Sequence, residues 1–232
     1  MRADARREKR AVKAMILAAG RGQRLAPLTD TCPKPLVEVG GETLIERHLL
    51  RLAAARIEDI VINVAHLGHM IEARLGDGRH LGVRIRYSRE PDGPLETGGG
   101  IARALPLLGD APFVVVNADV WTDFDFGFAA RTGDPAHLVL IPNPPHHPGG
   151  DFSLVGDRAR RDGPRACTYA GLGVFAPDLF AGRAERHFPL APLLFELAAT
   201  GRLGAQLHTG RWFDIGTLER LAAARSAVEQ GP

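Results

Sequence analysis

The sequence predicts a three-layer α/β fold in which helices flank an open, mostly parallel sheet. Strand-like and helix-like segments alternate from residue 12 onward. Residues 59–64 are rich in β-branched side chains and residues 113–116 are entirely apolar, as is usual for strands buried on both faces of a parallel sheet. A chain of 232 residues that is 45% hydrophobic and 24% charged has enough apolar surface for the core of such a domain.

The first half of the chain supplies strands and helices in regular order. Residues 12–17 form an apolar run and predict the first strand. Residues 44–56 carry apolar side chains at the spacing of an amphipathic helix. The other elements expected here are strands over residues 59–64, 83–87 and 113–116 and helices over residues 67–75 and 101–108. This order predicts parallel strands joined by right-handed helical crossovers.

The second half of the chain has a looser pattern. Residues 142–150 contain four prolines and two glycines, which predicts a surface loop. The elements expected here are strands over residues 137–141, 152–155, 170–175 and 211–215 and helices over residues 190–200 and 217–228. Because no linker interrupts the pattern, we expect a single domain over residues 13–232 whose second half carries insertions.

Charge and composition limit the classes of partner. Residues 1–13 contain six cations and two anions, and we expect residues 1–12 to be a disordered basic extension. The rest of the chain lacks the clustered cations of a nucleic-acid-binding surface and any run of roughly 20 apolar residues that could span a membrane. Cys32 and Cys167 provide neither a disulfide framework nor a metal-binding spacing. We therefore expect a cytoplasmic protein that binds neither nucleic acid nor membranes.

A glycine-rich loop follows the first strand. Residues 17–29 read LAAGRGQRLAPLT and residues 33–36 read PKPL. Leu25 stands where a dinucleotide-binding loop requires glycine or alanine, and no serine or threonine follows Lys34 as a P-loop requires. The planar guanidinium of Arg24 and the compact charge of Lys34 nevertheless suit phosphate oxygens. The sequence therefore predicts a phosphate-binding loop that is neither a dinucleotide-binding loop nor a P-loop.

These motifs resemble those of the sugar-1-phosphate nucleotidylyltransferases. The resemblance continues with ETGGG at residues 96–100, NADVW at 117–121 and WFDIGT at 212–217. Within that family the chain is most similar to the bacterial N-acetylmuramate α-1-phosphate uridylyltransferases, on PLETGGG at 94–100, VNADVWTD at 116–123 and HHPGGDF at 146–152. The resemblance implies the Rossmann-like fold of the nucleotide-diphospho-sugar transferases. It also implies transfer from UTP to N-acetylmuramate 1-phosphate, releasing pyrophosphate, in cell-wall (peptidoglycan) recycling.

The resemblance also assigns roles to individual residues. It implies Mg²⁺ as the cofactor, with Asp119 and Asp214 as its ligands. It implies that the catalytic residues are Arg24, Lys34 and Asp119. The nucleotide is expected at Ala18, Gly20, Gly22, Gln23, Arg24, Lys34, Thr97 and Gly98. Asn117 and Asp151 are expected to contact the sugar.

Each of these assignments has a structural alternative. Asp119, Asn117, Asp151 and Asp214 are residue types that also favour turns, and Ala18 suits a core position. Many larger relatives have a Glu-Lys-Pro segment whose lysine grips the sugar phosphate, yet residues 153–168 contain no lysine. Either one of Arg158, Arg160, Arg161 and Arg165 substitutes for it or the contact is missing.

The substrate pair and the class of protein also have alternatives. A guanylyltransferase for mannose 1-phosphate or a thymidylyltransferase for glucose 1-phosphate would share the same loop and aspartates. A nucleotide-sugar sensor could keep the fold without catalysis, although Arg24, Lys34, Asp119 and Asp214 are all present. A monomer and a small homo-oligomer are both compatible with the sequence.

Overall fold

The computed structural model describes residues 12–126, 133–183 and 187–231. Its strands are β1 (Lys13–Leu17), β2 (Glu38–Val39), β3 (Glu42–Thr43), β4 (Asp59–Val64), β5 (Arg84–Arg89), β6 (Phe113–Asn117), β7 (Val120–Thr122), β8 (Ala136–Pro142), β9 (Ser153–Val155), β10 (Arg158–Arg160), β11 (Cys167–Phe175), β12 (Leu203–Leu207) and β13 (Trp212–Asp214). Its helices are α1 (Leu28–Thr31), α2 (Leu44–Ala54), α3 (Gly68–Leu75), α4 (Glu96–Leu108), α5 (Ala191–Ala199) and α6 (Leu218–Glu229). Apart from Val12, the expected basic extension lies outside the described residues.

Nine of these strands form one mixed sheet in the order β5-β4-β1-β6-β11-β8-β12-β10-β9. The strands β5, β4, β1 and β6 are parallel, as expected. β11 then pairs antiparallel with both β6 and β8, so the far half of the sheet is mixed rather than mostly parallel. The chain enters β11 from the β9–β10 hairpin and not through a helical crossover, which accounts for its reversed direction.

Helices cover both faces of the sheet, as the three-layer prediction requires. Ala14 and Ile16 of β1 pack in a core that includes Leu49 of α2 and Ile71 of α3. Met15 points to the opposite face and belongs to a second core formed with α4 and α5. All of these core side chains are fully buried. The alternation along one strand therefore divides the interior into two layers of packing.

A third, smaller core joins the end of the chain to its beginning. β13 and β7 form a separate two-stranded antiparallel sheet. Ile215 and Leu221 pack there against Leu25 of the glycine-rich loop and Trp121 of β7. This packing places the first turn of α6 beside the loop that follows β1.

Several short elements were not expected from the sequence. The hairpin β2–β3 and strands β7, β10 and β12 lack a recognisable run of alternating or apolar residues. Helix α4 begins at Glu96 rather than at residue 101, because burial of Gly98, Gly99 and Gly100 compensates for their low helix propensity. Among the described residues, no helix is long and apolar enough to cross a membrane.

The buried side chain of His48 makes stability sensitive to acid. Burial of this residue of α2 lowers the pKa of His48 from 6.5 to about 4. The neutral ring is thus favoured in the folded state, so its contribution is present above pH 6.5 and lost as the pH falls towards 4. We expect this single group to cost about 2 to 3 kcal/mol of unfolding free energy between pH 7 and pH 4.5.

Urea denaturation of wild type and His48→Leu at these two pH values checks the prediction. The variant should lose less stability on acidification by about that amount. Equal losses of stability in the two proteins would mean that His48 does not titrate between pH 7 and pH 4.5.

Candidate active site

A cleft with a volume of about 220 Å³ lies at the carboxyl ends of β1 and β6. Parallel α/β sheets bind their ligands at this edge. Seven residues predicted from the sequence line the cleft: Ala18, Gly20, Gly22, Lys34, Thr97, Asn117 and Asp119. The fold therefore brings the glycine-rich loop, the start of α4 and the end of β6 together.

Lys34 and Asp119 form an ion pair in the cleft. Lys34 stands in a 3₁₀ turn, Lys34–Leu36, that Pro33 precedes, and its side chain is only 11% exposed. Its Nζ donates to Oδ2 of Asp119 at 2.5 Å. Gly22 has a φ of +67°, and a Cβ there would come within 3.2 Å of Lys34 Cβ, so glycine lets the loop pass close to the lysine. The cleft thus holds a fixed cation beside a carboxylate.

Asp214 reaches this region through the β7–β13 pairing. It lies opposite Val120 in the ladder, and the amide of Ile215 donates to the carbonyl of Asp119 at 2.8 Å. Nη1 of Arg220 donates to both carboxylate oxygens of Asp214, at 2.9 and 2.7 Å. Nε2 of His146 lies 3.0 Å from Oδ1. The backbones that carry the two aspartates are therefore direct neighbours.

The pKa of Asp214 lies above its ordinary value. Burial is the main cause, and the negative charge of Asp119 adds to it, while the charges of Arg220 and His146 lower the pKa in part. Asp119 faces the central cleft, whereas Asp214 faces a neighbouring cavity of about 640 Å³ that Arg24 also lines. We call this neighbouring space the second cavity.

A magnesium site shared by the two aspartates would need substrate oxygens as well, because the two carboxylates line different cavities. No group of three or more metal-binding side chains occurs among the residues that the structure describes. Mg²⁺ commonly takes one or two carboxylates and completes its coordination with substrate phosphates and water. Both carboxylates already contact cationic side chains, Lys34 for Asp119 and Arg220 for Asp214, so a bound Mg²⁺ would share these carboxylates with the protein's own cations. Mg²⁺ binding by Asp119 and Asp214 stays a prediction.

The cleft also contains a buried polar network that the sequence analysis missed. Asn63 and Glu90 are each 3% exposed. Asn63 Oδ1 accepts from the amide of Ala18 at 2.9 Å, and its Nδ2 donates to Glu90 Oε1 at 2.7 Å. Glu90 Oε2 accepts from the amide of Leu95 at 2.8 Å. The sequence signal for this network is Asn63, a polar residue between Ile62 and Val64 near the end of β4.

Gly98 does not line the cleft. The amides of Gly98 and Gly99 donate to the carbonyl of Phe188 at 3.0 and 3.1 Å. A Cβ on Gly98 would collide with the Phe188 ring. Gly98 is therefore needed for packing against Phe188, and its amide is already bonded. Its expected contact with the nucleotide stays a prediction.

Asp151 is also placed away from the cleft. Its Oδ2 accepts from the amide of Tyr169 on β11 at 2.9 Å, and its Oδ1 lies 3.1 Å from Nε2 of His147. The carboxylate thereby ties the proline-rich loop to β11, and its expected contact with the sugar stays a prediction. Asn117, by contrast, lines the cleft and packs against Gly171 of β11.

The remaining predicted residues do not line the central cleft. Gln23 and Arg24 are exposed in the 3₁₀ turn Gln23–Leu25, and Arg24 lines the second cavity. Of the arginines considered as substitutes for the missing lysine, Arg158 pairs with Asp134 at 2.6 Å and Arg161 stacks on Phe195 at 3.7 Å. None of the four lines the central cleft.

Comparison with known proteins agrees with this geometry. The profile of the nucleotidyl transferase family matches residues 13–141. The N-acetylmuramate α-1-phosphate uridylyltransferase of Neisseria meningitidis serogroup B is 52% identical over 93% of this chain and 97% of its own length. The protein of that name from Caulobacter vibrioides is 36% identical over 94% of this chain and 97% of its own. The chain belongs to the sugar-1-phosphate nucleotidyltransferases.

A solved structure confirms the fold of this nucleotidyltransferase. A Bacillus anthracis protein assigned as a glucose-1-phosphate thymidylyltransferase superimposes with a TM-score of 0.82. The match covers 96% of this chain and 97% of that one, at 21% sequence identity. Such a likeness establishes the nucleotide-diphospho-sugar transferase architecture predicted from the sequence.

The geometry of this nucleotidyltransferase suits the joining of two phosphate esters. The reaction is an attack of one phosphate oxygen on another phosphorus, so the site has to offset charge repulsion and fix orientation. Lys34 supplies a positioned ammonium within the cleft, and Arg24 supplies an exposed guanidinium that lines the second cavity. The backbone of the glycine-rich loop allows phosphates to approach closely.

Proposed function

We propose that this enzyme joins N-acetylmuramate α-1-phosphate to UTP in a Mg²⁺-dependent reaction that yields UDP-N-acetylmuramate and pyrophosphate. The observation that carries the proposal is the Lys34–Asp119 pair in the cleft, with Asp214 on the adjacent strand. The full-length similarity to the two uridylyltransferases supports the choice of substrates. This activity would recycle cell-wall sugar inside a bacterial cytoplasm.

The proposed arrangement assigns the reacting groups to named residues. Arg24 and the loop of Gly20 and Gly22 would bind the triphosphate, with Arg24 on the departing pyrophosphate. Lys34 would donate to the α-phosphate and stabilise the charge that develops there. Mg²⁺ held by Asp119 and Asp214 would neutralise the phosphate oxygens during transfer.

Glu90 supports a preference for uracil over cytosine. Its carboxylate offers only hydrogen-bond acceptors to the cleft, and the amides of Asn63 and Leu95 hold it in place. The uracil N3–H is a donor, whereas the corresponding N3 of cytosine is an acceptor that a carboxylate would repel. A base that presents a donor at this position is therefore favoured.

We expect Glu90→Gln to reduce the preference for UTP over CTP by about 10- to 100-fold, since a glutamine amide can donate to cytosine N3. Steady-state kcat/KM values for the two nucleotides measure this ratio. Glu96→Gln, at an exposed position on the rim of the same cleft, serves as the matched control. An unchanged ratio in Glu90→Gln would show that this carboxylate does not read the base.

A substrate matrix tests the proposed function itself. Four nucleoside triphosphates are combined with the 1-phosphates of N-acetylmuramate, N-acetylglucosamine, mannose and glucose, and pyrophosphate release is measured with Mg²⁺ and with a chelator. We expect UTP with N-acetylmuramate 1-phosphate to give the highest kcat/KM and the chelator to abolish turnover. A higher value for GTP with mannose 1-phosphate or dTTP with glucose 1-phosphate would contradict the substrate assignment. Nucleotide binding without turnover of any pair would instead indicate a sensor.

A further inference from the structure

The second cavity has a chemical character of its own. Its walls include the apolar side chains of Pro144, Pro145, Trp212 and Phe213. Its charged and polar margin is formed by Arg24, His146, Asp214, Glu219 and Arg220. A mostly apolar space with a few placed charges suits an organic group that bears a single charge.

Arg220 has donors to spare in this cavity. Its Nη1 serves both oxygens of Asp214, and its side chain is 19% exposed. A guanidinium carries five N–H donors. Nη2 lies against Gly216, and within the described part of the chain no hydrogen-bond acceptor is found for Nε or Nη2. Arg220 can therefore bind a second oxyanion while it holds Asp214.

The position of the Arg220 guanidinium is unusual in two respects. Arg220 lies in the first turn of α6, after the N-cap Thr217, where the helix dipole disfavours a cation. Gly216 lies directly under the guanidinium, and a Cβ there would collide with Nη2 of Arg220. Arg220 thus lines the cavity from a helix N-terminus that disfavours a cation. The absence of a side chain at Gly216 leaves room for the Arg220 guanidinium.

A carboxylate on a short apolar arm is the ligand that fits these features. N-acetylmuramate differs from N-acetylglucosamine by a lactyl ether, in which one CH carbon carries both a carboxylate and a methyl group. We propose that the second cavity binds this lactyl group and that Arg220 pairs with its carboxylate. The inference rests on the proposed function and makes Arg220 the residue that distinguishes muramate from glucosamine substrates.

The test compares two substrates in two proteins. N-acetylmuramate 1-phosphate and its neutral lactyl amide differ only in the proposed contact. For the wild type we expect kcat/KM to favour the acid by about 10- to 100-fold, as expected for a charge-assisted hydrogen bond. In Arg220→Met this ratio should fall to about 1, whereas Arg220→Lys should keep part of it.

Other measurements separate this contact from a structural effect. Arg225→Met, on the exposed side of α6 where Nε donates to the carbonyl of Glu38, should retain the wild-type ratio, and thermal melting confirms that each variant is folded. Equal loss with acid and amide in Arg220→Met would mean that Arg220 only positions Asp214, which would overturn the inference.

The wild-type protein provides two further outcomes. No preference for the acid, with normal turnover of both muramyl substrates, would overturn the inference and leave the proposed function intact. Turnover of N-acetylglucosamine 1-phosphate alone would overturn both.

Discussion

Lys34→Ala is expected to lower kcat by about 10²- to 10³-fold with a smaller change in KM. Lys34 is buried against Asp119 and faces the cleft, so its charge is held in place before the substrates bind. Preorganised donors of this kind act mainly on the charge of the transition state, and losing one costs about that factor. Pyrophosphate release under saturating substrates measures the effect.

Lys13→Ala is the matched control for this variant. Lys13 is also partly buried and donates to the carbonyl of Leu107, away from the cleft. It should leave kcat within about twofold of wild type, as is usual for changes remote from the reacting groups. Near-normal turnover by a folded Lys34→Ala protein would remove Lys34 from the proposed mechanism.

Asp119→Asn is expected to lower kcat/KM by about 10³-fold and to weaken the response to Mg²⁺. The amide keeps the shape of the side chain but loses the charge, so a divalent ion that offsets several kcal/mol of developing phosphate charge would bind poorly. The Mg²⁺ concentration for half-maximal rate should rise. Thermal melting with and without Mg²⁺ and UTP gives a readout that does not depend on turnover.

Asp123→Asn provides the comparison for Asp119→Asn. Asp123 follows β7, pairs with His208 at 3.0 Å and does not line the central cleft. The Asp123→Asn variant should respond to Mg²⁺ as the wild type does. A normal Mg²⁺ response in Asp119→Asn would show that the ion binds elsewhere or is not needed.

The parts of the structure that follow from local pattern were predictable. Strand β4 occupies residues 59–64 as expected, because a run rich in β-branched side chains has few other ways to be buried. Placement of Lys34 and Asp119 in one cleft also follows, since both lie near the carboxyl edge of a parallel sheet.

Other features depend on contacts between distant residues and left little signal. Asp214 reaches Asp119 only because β13 pairs with β7, two strands of three residues each. The bonding of Gly98 to Phe188 and of Asp151 to Tyr169 likewise involves segments far apart in sequence. A motif identifies residues of this kind but does not fix which neighbours they contact.

The proposed function depends most on one arrangement, in which carboxylates from the middle and from the C-terminal part of the chain hold one divalent ion in front of Lys34. Its most direct test is a crystal structure of the enzyme with Mn²⁺, as an anomalous scatterer replacing Mg²⁺, and UDP-N-acetylmuramate. The arrangement predicts one anomalous peak within about 2.2 Å of oxygens from both Asp119 and Asp214, with Lys34 Nζ on the phosphate next to it. A peak bound by Asp119 alone, with no oxygen of Asp214 within coordination distance of the ion, would contradict it.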